Sequence, residues 1–229
     1  MVLQAKIEDA LSPDKRDHVR VFNILPYDFY DESTITSLCH RMINLTTIKV
    51  MDVKITKLHL TAELTPKLVD LGLRNVPNEC DFHVVIPTLR NVSIHHYEPC
   101  RDALPINNML AAATRLEKFE TYKLWVSNEL TFAGNNLKII NLHRSDCLRK
   151  ITIWAPSLEH LGLQACYDID CVILLRAHPI LSKDLSKWHK PTNFTVNTRN
   201  CDISESALAS LQESGRCTIE EDSDEDDFF

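Results

Sequence analysis

The segment Leu158-Glu-His-Leu161-Gly-Leu163-Gln-Ala-Cys166 has the form L-x-x-L-x-L-x-x-C, and it decides the fold. The same frame, called a line below, begins at five earlier residues: Leu45, Leu68, Leu89, Leu116 and Leu137. The six lines start 23, 21, 27, 21 and 21 residues apart. Because a fixed period of about 20 to 29 residues is typical of stacked units that each add one strand, the spacing predicts an α/β solenoid with a parallel concave sheet.

Weaker copies of the line lie between the main ones, in Ile55-Thr-Lys-Leu58-His-Leu60 and Leu148-Arg-Lys-Ile151-Thr-Ile153. Each copy is long enough for a short strand on the opposite wall of the coil. The convex side is therefore predicted to be largely extended with few helices. The longest interval leaves room for one helix over 106–115, where strong helix formers follow Pro105.

Prolines mark the approach to three lines. Pro66, Pro87 and Pro156 each stand two residues before a leading leucine. Since proline cannot continue a hydrogen-bonded element and restricts the residue before it, each of them is expected to end the preceding element and to set the turn into the strand.

The chain divides into four segments on this pattern. They are an N-terminal capping segment over 1–44, the repeats over 45–176, an irregular connection with a C-terminal cap over 177–219, and a disordered acidic tail over 220–229. The N-terminal cap is expected to hold a strand at 18–24 and a helix at 33–42. The C-terminal cap is expected to hold a strand at 193–197, a helix at 204–211 capped by Ser204, and a strand at 217–219. Terminal units of a solenoid need such caps because one side of each has no neighbour.

The charge of the chain is unevenly distributed. The formal net charge of −7 comes from 32 acidic and 25 basic residues, and seven of the acids lie in the eight-residue run 220–227. The other 25 acids balance the 25 bases, which argues against a broadly basic nucleic-acid-binding protein. Ser223 lies in the acidic run and matches the S-x-x-[D/E] pattern of acidophilic kinases, so it is a candidate phosphorylation site.

Composition also excludes several function classes. With four glycines, the chain contains neither G-x-G-x-x-G nor G-x-x-x-x-G-K, so the common nucleotide-binding loops are absent. No apolar run reaches the roughly 18 residues of a membrane span, and the first residues lack the layout of a signal peptide. We therefore expect a cytoplasmic or nuclear protein that neither contacts a membrane nor binds nucleic acid.

Side chains at positions three, five and seven of each line are expected to face outward, because strand side chains alternate. From the second line onward these positions are rich in His, Tyr, Arg, Asn and Gln, which are frequent at protein interfaces. The candidate protein-binding residues on this concave face are Arg74, Asn91, Ser93, His95, Lys118, Glu120, Tyr122, Asn141, His143, His160 and Gln164. A merely solvated sheet face would also be polar, so this alternative stays open.

The segment from Leu148 to Cys166 resembles the alternating lines in the leucine-rich half of plant-type F-box proteins, and more loosely the cysteine-containing class of leucine-rich repeats. The resemblance extends over about 45–171 and implies a leucine-rich-repeat fold. Those families begin with an F-box that docks a ubiquitin-ligase adaptor. The segment before the first line holds only Ile24-Leu25-Pro26 and 35–39 as a faint counterpart, and it is too short for a full F-box.

Catalytic and metal-dependent functions find little support in the sequence. Zinc ligands are conceivable at His95, His96 and Cys100, and at Cys166 and Cys171 with His178 and His189. However, no C-x₂-C pair occurs, and Cys166 is needed inside its line. No serine lies in G-x-S-x-G. Asp146, Asp168 and Asp170 are interpreted as solvated loop acids. We expect no cofactor, no metal and no enzymatic activity.

Three hypotheses follow. The first is a non-catalytic scaffold that binds another protein through the concave strands, alone or within a larger complex. The second is a substrate-recognition component of a ubiquitin ligase. The third is a protein whose acidic tail binds histones or other basic proteins.

Overall fold

The computed structural model describes residues 18–24, 43–52, 57–75, 80–100, 104–126, 128–145, 147–175, 194–198, 201, 203–213 and 217–220. In chain order the elements are β1 (Val21–Ile24), β2 (Thr47–Met51), β3 (Lys57–Thr61), β4 (Asp70–Arg74), β5 (Asp81–Val85), β6 (Asn91–Cys100), α1 (Leu104–Ala112), β7 (Lys118–Val126), β8 (Asn128–Ala133), β9 (Ile139–His143), β10 (Leu148–Trp154), β11 (His160–Gln164), β12 (Cys171–Leu174), β13 (Phe194–Asn197), α2 (Glu205–Glu213) and β14 (Cys217–Glu220).

These elements stack as a solenoid of parallel strands with few helices. Nine strands form one sheet, the front sheet, in the order β1-β2-β4-β6-β7-β9-β11-β13-β14, and every neighbouring pair is parallel. The opposite wall, the back wall, consists of the pair β3-β5 and the three strands β12-β10-β8, which are also parallel. The chain alternates between the two walls, as the half-period copies predict.

The lines of the sequence supply the core. All six leading leucines are buried, and position four of each line is at most 2 % exposed. Buried residues of both walls form one continuous apolar cluster. Each fully buried leucine or isoleucine contributes about 1.5 to 3 kcal/mol through burial of apolar surface, so the repeated pattern stabilises every turn in the same way. The trailing Cys166 points inward as predicted, and its thiol lies 3.5 Å from the carbonyl oxygen of Leu142.

The three prolines lie in the turns for which they were predicted. The backbone N–H of Leu68 donates to the carbonyl of Thr65, that of Leu89 to Ile86, and that of Leu158 to Ala155. Pro66, Pro87 and Pro156 are thus the second residue of a four-residue turn, a position that proline favours because its φ is already suitable.

The helix of the long interval is present, but it ends three residues earlier than predicted. It occupies Leu104–Ala112, whereas the sequence indicated 106–115. The N–H of Leu116 donates to the carbonyl of Ala113, which is the same turn that precedes Leu68, Leu89 and Leu158. This turn needs residues 113–116, so the helix cannot extend through them.

The described parts of both ends contain the predicted elements. β1 extends the front sheet at one edge, and β13 and β14 extend it at the other. Ser204 precedes α2 and caps its N-terminus, since its hydroxyl accepts the N–H of Ala207 at 3.2 Å. The predicted tail 220–229 begins one residue too early, because Glu220 still belongs to β14. Its other residues, with Ser223, lie outside the described residues, as do the predicted helix at 33–42 and the connection at 177–192.

Four of the six main strands are followed by a left-handed backbone residue, and in the line of β7 such a residue lies within the strand. Asp52, Asn75, Lys123, Arg144 and Ala165 have φ between 50° and 56°. Each occupies position eight of its line. The N–H groups of Asp52, Asn75 and Arg144 donate to a carbonyl of the next turn. In the remaining line β6 continues to Cys100 and stays paired with β7, with a shift in register between Tyr97 and Cys100. At Asp52, Asn75, Arg144 and Ala165 the left-handed residue therefore marks the point at which the chain leaves the front sheet.

Candidate functional site

A cavity of about 320 Å³ opens on the outer surface of the front sheet, between β6 and β11. Seven of the eleven predicted binding residues line it. They are His95, Glu120, Tyr122, Asn141, His143, His160 and Gln164. They converge because successive strands are in register, so that equal positions of neighbouring lines lie side by side. The structure thus brings most of the predicted residues to one place, which is called the front cavity below.

The other four predicted residues lie on the same sheet outside the cavity. Arg74 lies 3.5 Å from a carboxylate oxygen of Asp52, and Asn91 donates to Asp70 at 2.6 Å. Lys118 reaches Glu120 at 2.9 Å, and Ser93 is half-buried in β6. The contacts of Arg74 and Asn91 join neighbouring turns, whereas the Lys118–Glu120 pair lies within β7.

Three aromatic side chains from neighbouring strands form a row that lines the front cavity: His95 of β6, Tyr122 of β7 and His143 of β9. The ring centroid of Tyr122 lies 4.7 Å from that of His143, with an interplanar angle of 71°, and 6.3 Å from that of His95. The T-shaped contact is the geometry that aromatic pairs prefer. Tyr122 therefore presents an amphipathic ring that is held between two imidazoles.

Two cations flank the same tyrosine. The Lys123 ammonium lies 5.7 Å from the centre of the Tyr122 ring, and the Arg144 guanidinium carbon lies 5.8 Å from it. Both distances are within the range of cation–π attraction. Both residues have the left-handed backbone conformation described above.

The charge of His143 is set by this environment. Partial burial lowers the pKa of the His143 imidazole below its ordinary value of 6.5, and the positive charge of Arg144 lowers it further. A neutral imidazole has one donor and one acceptor nitrogen. Near neutral pH, His143 can therefore both donate and accept a hydrogen bond in the cavity.

The floor of the cavity is Gly162. A Cβ atom at this position would lie 2.5 Å from the Asn141 side-chain oxygen and 3.2 Å from Nε2 of His160. Asn141 in turn donates to Glu120 at 3.1 Å, and Nδ1 of His160 lies 3.0 Å from the Thr195 hydroxyl. The space exists because one outward position carries no side chain.

Sequence reasoning missed Gly162, Lys123, Arg144 and Thr195. A signal for Gly162 is its outward position five, where a glycine leaves a gap between larger neighbours. Lys123 and Arg144 share position eight, which was not considered part of the face. Thr195 belongs to β13, which lies after the last line. The repeat spacing therefore does not predict that β13 pairs with β11.

The chemistry of the front cavity is hydrogen bonding and ring contact. Within the described ranges, no group of three or more His, Cys, Asp or Glu side chains is placed to hold a metal ion. His178 and His189, which were considered as zinc ligands, lie outside those ranges. No helix in the described part of the chain is long and apolar enough to cross a membrane.

Comparisons with protein-family models, with curated proteins and with solved structures found no match for this chain. The fold and the cavity therefore define a class only: a solenoid of parallel strands with a polar, aromatic-lined cavity on its front sheet.

Proposed function

We propose that this chain is a non-catalytic leucine-rich-repeat protein that binds another protein through the outer face of its front sheet. One observation carries the proposal: seven predicted outward residues converge on a single cavity with Tyr122 at its edge. Tyrosine is enriched among the residues that dominate binding energy at interfaces, since it offers a large rigid ring and a hydroxyl. The L-x-x-L-x-L-x-x-C lines support the assignment to leucine-rich repeats.

The size and character of the cavity support a protein ligand over a larger cofactor. Its volume of about 320 Å³ is at the lower end for small-molecule sites, which extend to about 1,000 Å³. It suits one or two inserted side chains of a partner. The surrounding strands offer Asn, Gln and His groups for directional hydrogen bonds at the rim.

The test compares two walls of the same protein. A variant with His95→Ala, Tyr122→Ala and His143→Ala is expected to lose at least about tenfold in affinity for captured partners, because it removes the ring row. The matched control carries His59→Ala and His83→Ala, whose rings form a 5.5 Å pair on the back wall. Circular dichroism checks that both variants are folded.

Photo-crosslinking locates the contact directly. p-Benzoylphenylalanine at Gln164 should crosslink the partner, whereas the same group at Asp81 of β5 should not. Equal binding by the front and back variants, or crosslinks from the back wall alone, would refute the proposal. Cullin-type subunits among the copurified proteins would assign the chain to a ubiquitin ligase, the alternative drawn from the F-box resemblance.

A further inference from the structure

Two cysteine side chains from distant parts of the chain meet where the last line joins the C-terminal cap. Cys166 is the trailing residue of its line, shortly after β11, and Cys201 lies between β13 and α2. The backbone N–H of Cys166 donates to the Cys201 sulfur at 3.4 Å, and the two thiols are hydrogen-bonded to each other. Both residues carry a thiol rather than a disulfide bond. We call Cys166 and Cys201 the thiol pair.

Backbone atoms of the front sheet hold the thiol pair in place. The Cys201 thiol donates to the carbonyl of Leu163 at 2.8 Å. The Cys166 sulfur lies 3.5 Å from the carbonyl oxygens of Leu142 and Gln164. A disulfide requires that the backbones of its two cysteines lie close together as well as their sulfurs. Because the Cys201 sulfur is hydrogen-bonded to the backbone of Cys166 itself, a small movement suffices to bring the two sulfurs to bonding distance.

The two thiols differ in their access to solvent and in their acidity. Cys166 is fully buried, whereas Cys201 is half-buried. The hydrogen bond with the Cys166 thiol lowers the pKa of Cys201 below its ordinary value; burial opposes this change, and backbone hydrogen bonds with Cys166 and Ala165 support it. Since the thiolate is the reactive form of cysteine, Cys201 is the member of the pair that reacts first with a reagent from solution.

We propose that Cys166 and Cys201 form an oxidisable site, which a hydroperoxide such as hydrogen peroxide converts to a disulfide. The Cys201 thiolate attacks one peroxide oxygen and the O–O bond breaks, which gives a sulfenic acid on Cys201 and a hydroxide that takes up the thiol proton as water. The Cys166 sulfur then attacks the sulfenic sulfur. The S–S bond forms, the S–O bond breaks and a second water leaves with the Cys166 proton. The peroxide gains the two electrons that the two thiols lose.

This disulfide would fasten the C-terminal cap to the repeats. The cap is attached by β13, which pairs with β11 over three residues, and by Ser204, whose hydroxyl donates to the carbonyl of Asp170 at 2.7 Å. The two cysteines are 35 residues apart, and a cross-link over so long a loop constrains the unfolded chain strongly. Thr195 of β13 contacts His160 in the front cavity at 3.0 Å, so the disulfide would also fix one side of that cavity.

Two other cysteines provide a matched control in the same chain. Cys147 is exposed and Cys171 is half-buried, so solvent reaches both. Neither sulfur makes a hydrogen bond within the described part of the chain, so both lack the contact that favours a disulfide. At position 166 serine is a suitable replacement, because Ser145 occupies the same position of the preceding line and is fully buried.

The first experiment treats the reduced full-length protein with an equimolar amount of hydrogen peroxide, blocks the remaining thiols with N-ethylmaleimide and maps the digest by mass spectrometry. The cross-link between Cys166 and Cys201 is expected to be the main product. Cys166→Ser should remove it and leave a sulfenic acid on Cys201 that dimedone traps, because no second thiol resolves it. The control variant with Cys147→Ser and Cys171→Ser should form the cross-link to the same extent as the natural chain.

The second experiment compares hydrogen exchange at the amides of β13 in the reduced and the oxidised protein. Exchange is expected to slow by about tenfold or more on oxidation, because opening of the cap then leaves the chain cross-linked. Dithiothreitol should reverse the change. In the Cys166→Ser variant peroxide should not slow the exchange, and its exchange before oxidation shows whether serine disturbs the cap.

Three outcomes would overturn the proposal. They are cross-links that join the thiol pair mainly to other cysteines or to a second chain, a Cys201 that peroxide leaves unmodified, and unchanged exchange in β13 once the disulfide has formed. The natural chain alone decides all three, so the test holds even where a variant fails to fold. The inference does not rest on the proposed protein-binding function. Equal binding by the front and back variants of a protein that forms the cross-link would refute that function alone.

Discussion

The front sheet and the back wall both cover the apolar core, but they differ in how their strands pair. The front sheet is continuous across nine strands, whereas the back wall is divided into a pair and a triplet, with α1 packed against both β5 and β8. In all six main lines positions three to seven pair in register with a neighbouring line, although β6 and β7 extend further, whereas the segments that return along the back differ in length. Extra residues between two lines are therefore accommodated in the returning segments, and the paired positions of the front sheet stay in register.

The break in the back wall shows how a helix replaces a strand. β8 faces α1 with the free edge of its backbone, and Asn107 of α1 pairs with that edge. The Asn107 amide donates to the carbonyl of Glu129 at 3.1 Å and accepts the N–H of Thr131 at 3.0 Å. One side chain thus provides the donor and the acceptor that a neighbouring strand would offer.

The largest predicted effect concerns the contact that joins the two walls. Phe119 of β7 and Phe132 of β8 are fully buried, and their ring centroids lie 5.2 Å apart. Phe119→Ala should lower the free energy of unfolding by about 3 to 5 kcal/mol, because it leaves a cavity between front and back. Urea denaturation followed by circular dichroism measures it. Phe22→Ala in β1, where the ring is only partly buried, is the control and should cost clearly less; equal losses would contradict this account.

An intermediate effect is expected at the break in the back wall. Asn107→Ala leaves the N–H of Thr131 and the carbonyl of Glu129 without their partner, which should cost about 1 to 3 kcal/mol. The neighbouring Asn108 is exposed, so Asn108→Ala should change the stability little. Hydrogen exchange at Thr131 reports the local effect. Unchanged exchange in the Asn107 variant would show that the side chain does not substitute for a strand.

The smallest effect distinguishes two glycines at the same position of their lines. Gly162→Ala should cost about 1 kcal/mol, because the new Cβ pushes Asn141 away from Glu120. At Gly72 the nearest neighbour is Cγ of Lys49 at 3.3 Å, the middle of a flexible side chain. Gly72→Ala should therefore be neutral or should stabilise by up to about 1 kcal/mol through the unfolded state. Thermal unfolding separates the two, and a greater loss at Gly72 would reverse the argument.

The prediction succeeded where the signal is local. Inward and outward positions of each line were assigned from alternation alone, and the burial of β2, β4 and β9 follows that alternation. In β11 the outward residue Gly162 is buried too, since its backbone lies against the side chains of Asn141 and His160. The turns at Pro66, Pro87 and Pro156 were equally local. The end of α1 was predicted too late along the chain. Alanine has a high helix propensity, but Ala113 is the first residue of the turn before Leu116, so the helix ends before it.

The candidate site was predictable only in part. Seven cavity residues share outward positions, so they could be named before their distances were known. Lys123 and Arg144 lie beside the Tyr122 ring from left-handed backbone positions, a conformation that costs a non-glycine residue about 1 to 2 kcal/mol and that hydrophobic spacing does not encode.

The sequence by itself determined the period, the strands and the side of each strand that faces the core, because burial of apolar side chains at fixed spacing is a property of neighbours along the chain. Only the tertiary structure decided that a gap at Gly162 becomes a cavity, that Asn107 completes the edge of β8, and that Lys123 and Arg144 lie beside one tyrosine. These depend on atoms from different turns approaching within a few ångströms, which the spacing of leucines leaves open.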